Sequence, residues 1–182
     1  MPDTTAADAE PRCWVLLYAA GPSLLDRCIR WFERRRYPAS AAQYVHAAIL
    51  LHTLAGYLLA EEQGHGPEYE TGANALKRAA EAAAHSVVSV TAAQQTMIVG
   101  YLDSMRRTPY AFAQLAADGV AMLTGIRTGV PTRGDVCSEM VGEALLVPRI
   151  VPPPLGIDAR TITPPDLATW PVPVTAGPPP LA

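Results

Sequence analysis

The chain has 182 residues, 49% of them hydrophobic, enough for one domain with a real core and too short for two comfortable ones. Its formal charge of -3, with an isoelectric point near 5.8, and the lack of a long arginine stripe interleaved with aromatics exclude the electrostatic footprint of a nucleic-acid binder. Three widely spaced cysteines, Cys13, Cys28 and Cys137, suit neither a disulfide framework nor a paired-thiolate zinc site, and point to a reducing compartment.

Residues 1–11 are polar and acidic and read as a mobile leader. They lack the basic start and apolar middle of a secretory signal, so the expected location is cytoplasmic, or at least independent of a classical signal peptide. Trp14 to Tyr18 is a short β-prone run closed by Gly21-Pro22. Ser23 then caps a helix with Leu24, Leu25, Cys28, Ile29 and Phe32 at helical spacing. It ends in Glu33-Arg34-Arg35-Arg36, where cations suit the negative end of the helix dipole, and Pro38 forbids continuation. The arginine run reads as a solvated helix end, with binding of an anionic group as the alternative.

Tyr44 to Leu51 and Tyr57 to Ala60, separated by a segment containing Gly56, read as a β-hairpin that Gly64 to Pro67 terminates. The longest apolar stretch, Val45 to Ala60, is interrupted by His46, His52, Thr53 and Gly56 and is shorter than the roughly 20 residues a spanning helix needs. No transmembrane segment is expected. Asn74 to Ala84 has a helix-favouring composition, His85 to Val90 reads as a third strand, and Thr91 with Gln94 forms a capping box for a helix reaching about Arg107. Thr108-Pro109 stops it, helical packing segments follow from Tyr110 to Gly125, and residues 129–134 form a loop. Ser138 to Leu146 then has helical periodicity with acids in its first turn, placing Cys137 at or just before a helix N-terminus. Beyond Pro148 the prolines accumulate, so residues 148–182 are expected to wrap the surface as extended polyproline or to trail into solvent.

A thiol becomes a nucleophile when its thiolate is stabilised, and a helix N-terminus supplies partial positive charge and free N–H groups that also suit a developing oxyanion. Cys137 has that setting, although a lone cysteine there is also a common buried core residue. His46 is the best candidate base because a strand holds its side chain rigidly, with the small Ala48 on the same face leaving room beside the imidazole. His52, His65 and His85 read as turn or surface residues. An orienting carboxylate is expected from Glu61 or Glu62 on the adjacent strand. Period-2 alternation lets only one of them face the site; the hairpin register is open, and Glu61 is favoured.

Four stretches carry a resemblance: Val15 to Tyr18 with Leu24 to Phe32; Tyr44 to Leu50; Thr108 to Phe112; and Val136-Cys137-Ser138-Glu139-Met140-Val141, with a weaker echo in Ile162 to Leu167. Together they resemble the circularly permuted NlpC-type (YiiX-like) branch of papain-like thiol hydrolases, in which the histidine strand precedes the Cys-Ser-Glu helix. The resemblance implies an α+β, papain-like domain over residues 12–147, a small antiparallel sheet packed on helices. It further implies Cys137 as nucleophile, His46 as general base, Glu61 or Glu62 as third member, and Tyr110 and Ser138 as site-lining or oxyanion-assisting groups. No cofactor is implied. The expected activity is hydrolysis of peptide-like or isopeptide-like amides, such as those of cell-wall peptides, through an acyl-enzyme. Acyl transfer from lipid, as in the similar lecithin:retinol acyltransferases, is one alternative. A non-catalytic binding module is the other, with residues 148–182 engaging a protein partner.

Overall fold

A computed structural model describes residues 11–63, 66–106, 108, 137–150, 162–170 and 174–180. The first strand, β1 (Arg12–Ala19), is buried along all but its two ends because its apolar run supplies side chains to both faces of a sheet. Helix α1 (Leu24–Glu33) starts at Ser23, whose hydroxyl oxygen accepts the Asp26 N–H at 3.0 Å. Its apolar stripe packs less fully than its spacing predicts, for Cys28 is exposed and Ile29 and Phe32 are only partly buried.

The hairpin forms from β2 (Tyr44–Thr53) and β3 (Gly56–Gln63). Gly56, at a φ of 106° that side chains disfavour, makes the tight turn, and the Thr53 hydroxyl donates to its carbonyl at 2.8 Å. Where the sequence predicts a break, the chain adds another strand, β4 (Gly66–Thr71). Pro67 is tolerated there because β4 lies at the sheet edge. Helix α2 (Gly72–Ala79) begins earlier and ends sooner than composition predicts, and β5 (Ala84–Ser89) pairs with the far side of β1. The capping box of Thr91 and Gln94 opens α3 (Ala92–Met105), and α4 (Cys137–Leu146) begins at the cysteine itself.

The described parts of the carboxyl-terminal segment, residues 162–170 and 174–180, hold a helix and a strand in place of the expected polyproline wrap. Thr163 and Asp166 form a second capping box for α5 (Pro164–Thr169), and prolines fit a first helical turn because their missing N–H would lack an intrahelical partner anyway. Strand β6 (Val174–Ala176) then pairs with β5.

The fold is therefore α+β, a six-stranded antiparallel sheet in the order β4-β3-β2-β1-β5-β6 with helices packed on it. Alternation along the strands divides the core. Val15, Leu17, Ile49 and Leu51 face Ile98 of α3, Met140 and Leu145 of α4, and Leu167 of α5. Trp14, Leu16, Ala48 and Leu50 take the other face, covered by Ala75 and Ala79 of α2 together with Ala82.

Candidate active site

His46 lies near the start of β2, opposite Tyr18 of β1, and the register of that pair shifts immediately beyond, between Tyr18 and Ala19. On the other side of β2, pairing with β3 ends at Ala48–Glu61, while β3 continues with β4 alone as far as Gln63–Gly66. The sheet thus opens between β2 and β3 at this end. The N-terminus of α4 meets that opening. The Ala47 N–H, one residue past the end of the β2–β3 ladder, donates to the Cys137 sulfur, as does the N–H of Ser138.

His46 is in hydrogen-bond contact with Cys137 on one side and Glu61 on the other. Its Nε2 is 2.9 Å from Glu61 Oε2, which leaves Nδ1 as the ring nitrogen for the sulfur. A carboxylate can only accept, so Nε2 carries a proton. Glu61 is in turn held by Arg78 of α2, Nε to Oε1 at 3.1 Å and Nη2 to Oε2 at 3.2 Å, while Nη1 of the same guanidinium donates to Glu81 Oε2 at 2.5 Å. Tyr18 closes the cluster. Its ring packs on the His46 imidazole at 5.5 Å between centroids, its hydroxyl donates to the Arg78 carbonyl at 3.2 Å, and the Arg78 guanidinium lies 4.9 Å from its ring centroid.

The electrostatics follow from this chain of contacts. Burial pushes the Cys137 thiol up, but the charge and hydrogen bond of His46 and the two backbone N–H donors outweigh it and hold the thiol below its ordinary range. Burial alone would push the His46 imidazole down; the Cys137 and Glu61 charges and hydrogen bonds raise it instead, to about 10. Burial likewise opposes ionisation of Glu61, yet the hydrogen bonds and charges of His46 and Arg78 bring its carboxyl down to about 2. The favoured resting form is therefore a thiolate–imidazolium pair backed by a carboxylate. The His46 side chain is 22% exposed, so the pair has an edge open to solvent.

Of the two acids left open by the sequence, Glu61 reaches His46 from the interior of β3 rather than from a strand end. Glu62 does not join it. Alternation turns Glu62 to the other face, where it is buried and its charge acts on Tyr69. Ser138 is corrected in part, for its hydroxyl donates to the Ile162 carbonyl at 2.6 Å, so its contribution to the sulfur comes from the backbone. Tyr110 and His65 lie outside the described residues. His52 stacks on Tyr57 at 4.7 Å, away from the cluster, and His85 is buried rather than superficial because β5 is an interior strand. The His85 Nδ1 donates to the Gly177 carbonyl at 2.9 Å.

Arg78 and Tyr18 are the members that sequence reasoning misses. Arg78 reads as one more cation in an alanine-rich helix; its one signal is the pair Ala75 and Ala79, small enough to let α2 lie close on the sheet. No protein-family model matches the chain, and no curated protein matches it. Among the described residues, no cluster of His, Cys, Asp and Glu is arranged to hold a metal ion, and no helix is long and apolar enough to cross a membrane.

Proposed function

We propose that this chain is a cysteine hydrolase of the permuted papain-like kind, acting on amide or ester carbonyls through an acyl-enzyme. The observation that carries the reading is the contact of the Cys137 sulfur with His46, whose far nitrogen meets Glu61 at 2.9 Å. The chain order, with the histidine strand ahead of the Cys-Ser-Glu helix, supports the permuted assignment.

The Cys137 thiolate attacks the carbonyl carbon, and the carbonyl electron pair moves to oxygen, near the N-terminal N–H groups of α4. As the tetrahedral species collapses, the bond to the leaving group breaks and the His46 imidazolium gives that group its Nδ1 proton, leaving a thioester and neutral imidazole. The imidazole then takes a proton from water as its oxygen attacks the thioester. Collapse of this second intermediate expels the thiolate, releases a carboxylic acid and restores the ion pair. Amides of cell-wall peptides or isopeptide-like links are the proposed substrates.

Alkylation by iodoacetamide at pH 6, read site by site by peptide mapping, tests the reading. Cys28, an exposed free thiol, serves as the internal reference. An ordinary thiol is only about 0.3% ionised at that pH, so a depressed one reacts up to roughly 100-fold faster. Cys137 is expected to outpace Cys28 by more than ten-fold and to lose that lead in His46→Ala. Equal rates at the two sites would sink the proposal. Incubation with phospholipid and with cross-linked peptides then separates the reactions, a stable long-chain acyl adduct marking acyl transfer and a new amine marking amide hydrolysis.

A further inference from the structure

We propose that Arg78 is a positioning residue of this site, its forked guanidinium fixing the Glu61 carboxylate in the orientation from which it accepts the Nε2–H of His46. The inference rests on the thiol chemistry proposed above. Arg78 touches neither the sulfur nor the imidazole by hydrogen bond; it acts through Glu61.

Glu61 is 2% exposed, and a carboxylate that deep needs partners for both oxygens. Oε1 is held by Arg78 Nε, while Oε2 receives both Arg78 Nη2 and His46 Nε2. A two-point fork of this kind sets the carboxylate plane as well as its charge, which a point cation does not do. Without it the carboxylate rotates about its last bond, and only the bond to His46 resists. The guanidinium is itself fixed, by Glu81 beyond it and by the Tyr18 ring beneath it. Tyr18 also donates to the Arg78 carbonyl and packs against His46, so one tyrosine steadies both ends of the Arg78–Glu61–His46 chain. The groups alternate in sign, thiolate, imidazolium, carboxylate, guanidinium.

The solvent side of Arg78 opens on a groove of about 210 Å³ lined by Glu70, Asn74, Lys77, Arg78 and Glu81. The charged and titratable groups facing the Arg78–Glu61 pair are thus His46 from β2, Tyr18 from β1, Glu68, directly opposite Glu61, and Glu70 from β4, and Lys77 and Glu81 on or beside α2. None of these besides Arg78 offers Glu61 a fork. The groove has room for a guanidinium ion to enter when the side chain is shortened.

The experiment measures the rate of Cys137 alkylation from pH 3 to 8 in the full chain, with Cys28 as internal reference. In Arg78→Ala, Glu61 loses two of its three charge-assisted hydrogen bonds and takes up a proton at higher pH. The acid midpoint of the Cys137 profile is expected to rise by about one pH unit, a ten-fold loss of rate on the acid limb. Millimolar guanidinium chloride, far below denaturing levels, is expected to restore the parent profile, whereas sodium chloride at equal ionic strength is not. Arg78→Lys keeps the charge but not the fork, and is expected to fall between the two. Arg12→Ala, which removes an exposed guanidinium at the far end of β1 from Tyr18, leaves the profile unchanged.

A parent in which Cys137 fails to outpace Cys28 refutes the hydrolase reading. A parent with that lead, whose profile superimposes on that of folded Arg78→Ala, refutes the role of Arg78 alone. Should Arg78→Ala not fold by circular dichroism, Arg78→Lys decides: a profile identical to the parent overturns the inference, and a shifted one sustains it.

Discussion

Replacing Glu61 by glutamine mimics the protonated acid permanently, which makes the electrostatic tie between β2, β3 and α2 measurable as stability. Glu61 titrates at about 2 in the fold against an ordinary 4.5. Between those values the unfolded chain holds more protons than the native one, so stability falls as pH drops through the window and is fully present above it. The displacement corresponds to about 3 kcal/mol at pH 6, and the side chain is only 3% exposed, so solvent screens little of it. The parent is therefore expected to exceed Glu61→Gln by about 3 kcal/mol in urea unfolding at pH 6, the gap narrowing below pH 4.5 and closing near pH 2. A gap that stays constant from pH 6 to pH 3, or one below about 1 kcal/mol at pH 6, would refute the placement of Glu61 between His46 and Arg78.

The alkaline side belongs to His46. Because Cys137 is lowered and His46 raised to about 10, Cys137 alkylation should already be near its plateau at neutral pH, and turnover of any substrate should decline as pH passes about 10 and the imidazolium loses the proton it gives the leaving group. Ser138→Ala deletes the 2.6 Å hydrogen bond to the Ile162 carbonyl and is expected to cost about 1–2 kcal/mol in urea unfolding, with Cys137 alkylation at pH 6 retained because the Ser138 N–H remains. Truncation after residue 173 removes β6 and the Gly177 partner of His85, uncovering the edge of β5; size-exclusion chromatography is expected to show more self-association than in the full chain at equal concentration.

What was legible in the sequence is what local chemistry decides. The buried run of β1, the Gly56 turn, the Thr91–Gln94 capping box and the start of α4 at Cys137 each depend on residues within a few positions of one another, so periodicity and cap chemistry reach them. Strand β4 escapes the same reading because Gly66-Pro-Glu-Tyr-Glu-Thr71 is polar and contains proline, a composition that only an edge position tolerates, and edge position is a property of the assembled sheet. The carboxyl-terminal helix escapes for the converse reason, since prolines that suggest an extended strap sit in the one helical turn that accepts them. At the site, the opposite facing of Glu61 and Glu62 follows from alternation alone, but which of them meets His46 depends on the Ala48–Glu61 register. That register also ends the β2–β3 ladder one residue short of Ala47, and so places an N–H donor at the sulfur of a residue 90 positions away. Arg78 lies furthest from sequence reasoning because its role needs three placements at once: α2 on the Trp14 face, Glu61 turned to that face, and Tyr18 between the guanidinium and the imidazole. Each alone is an ordinary contact, and only their coincidence across three adjacent strands, β1, β2 and β3, extends the Cys137–His46–Glu61 chain to a fourth charge.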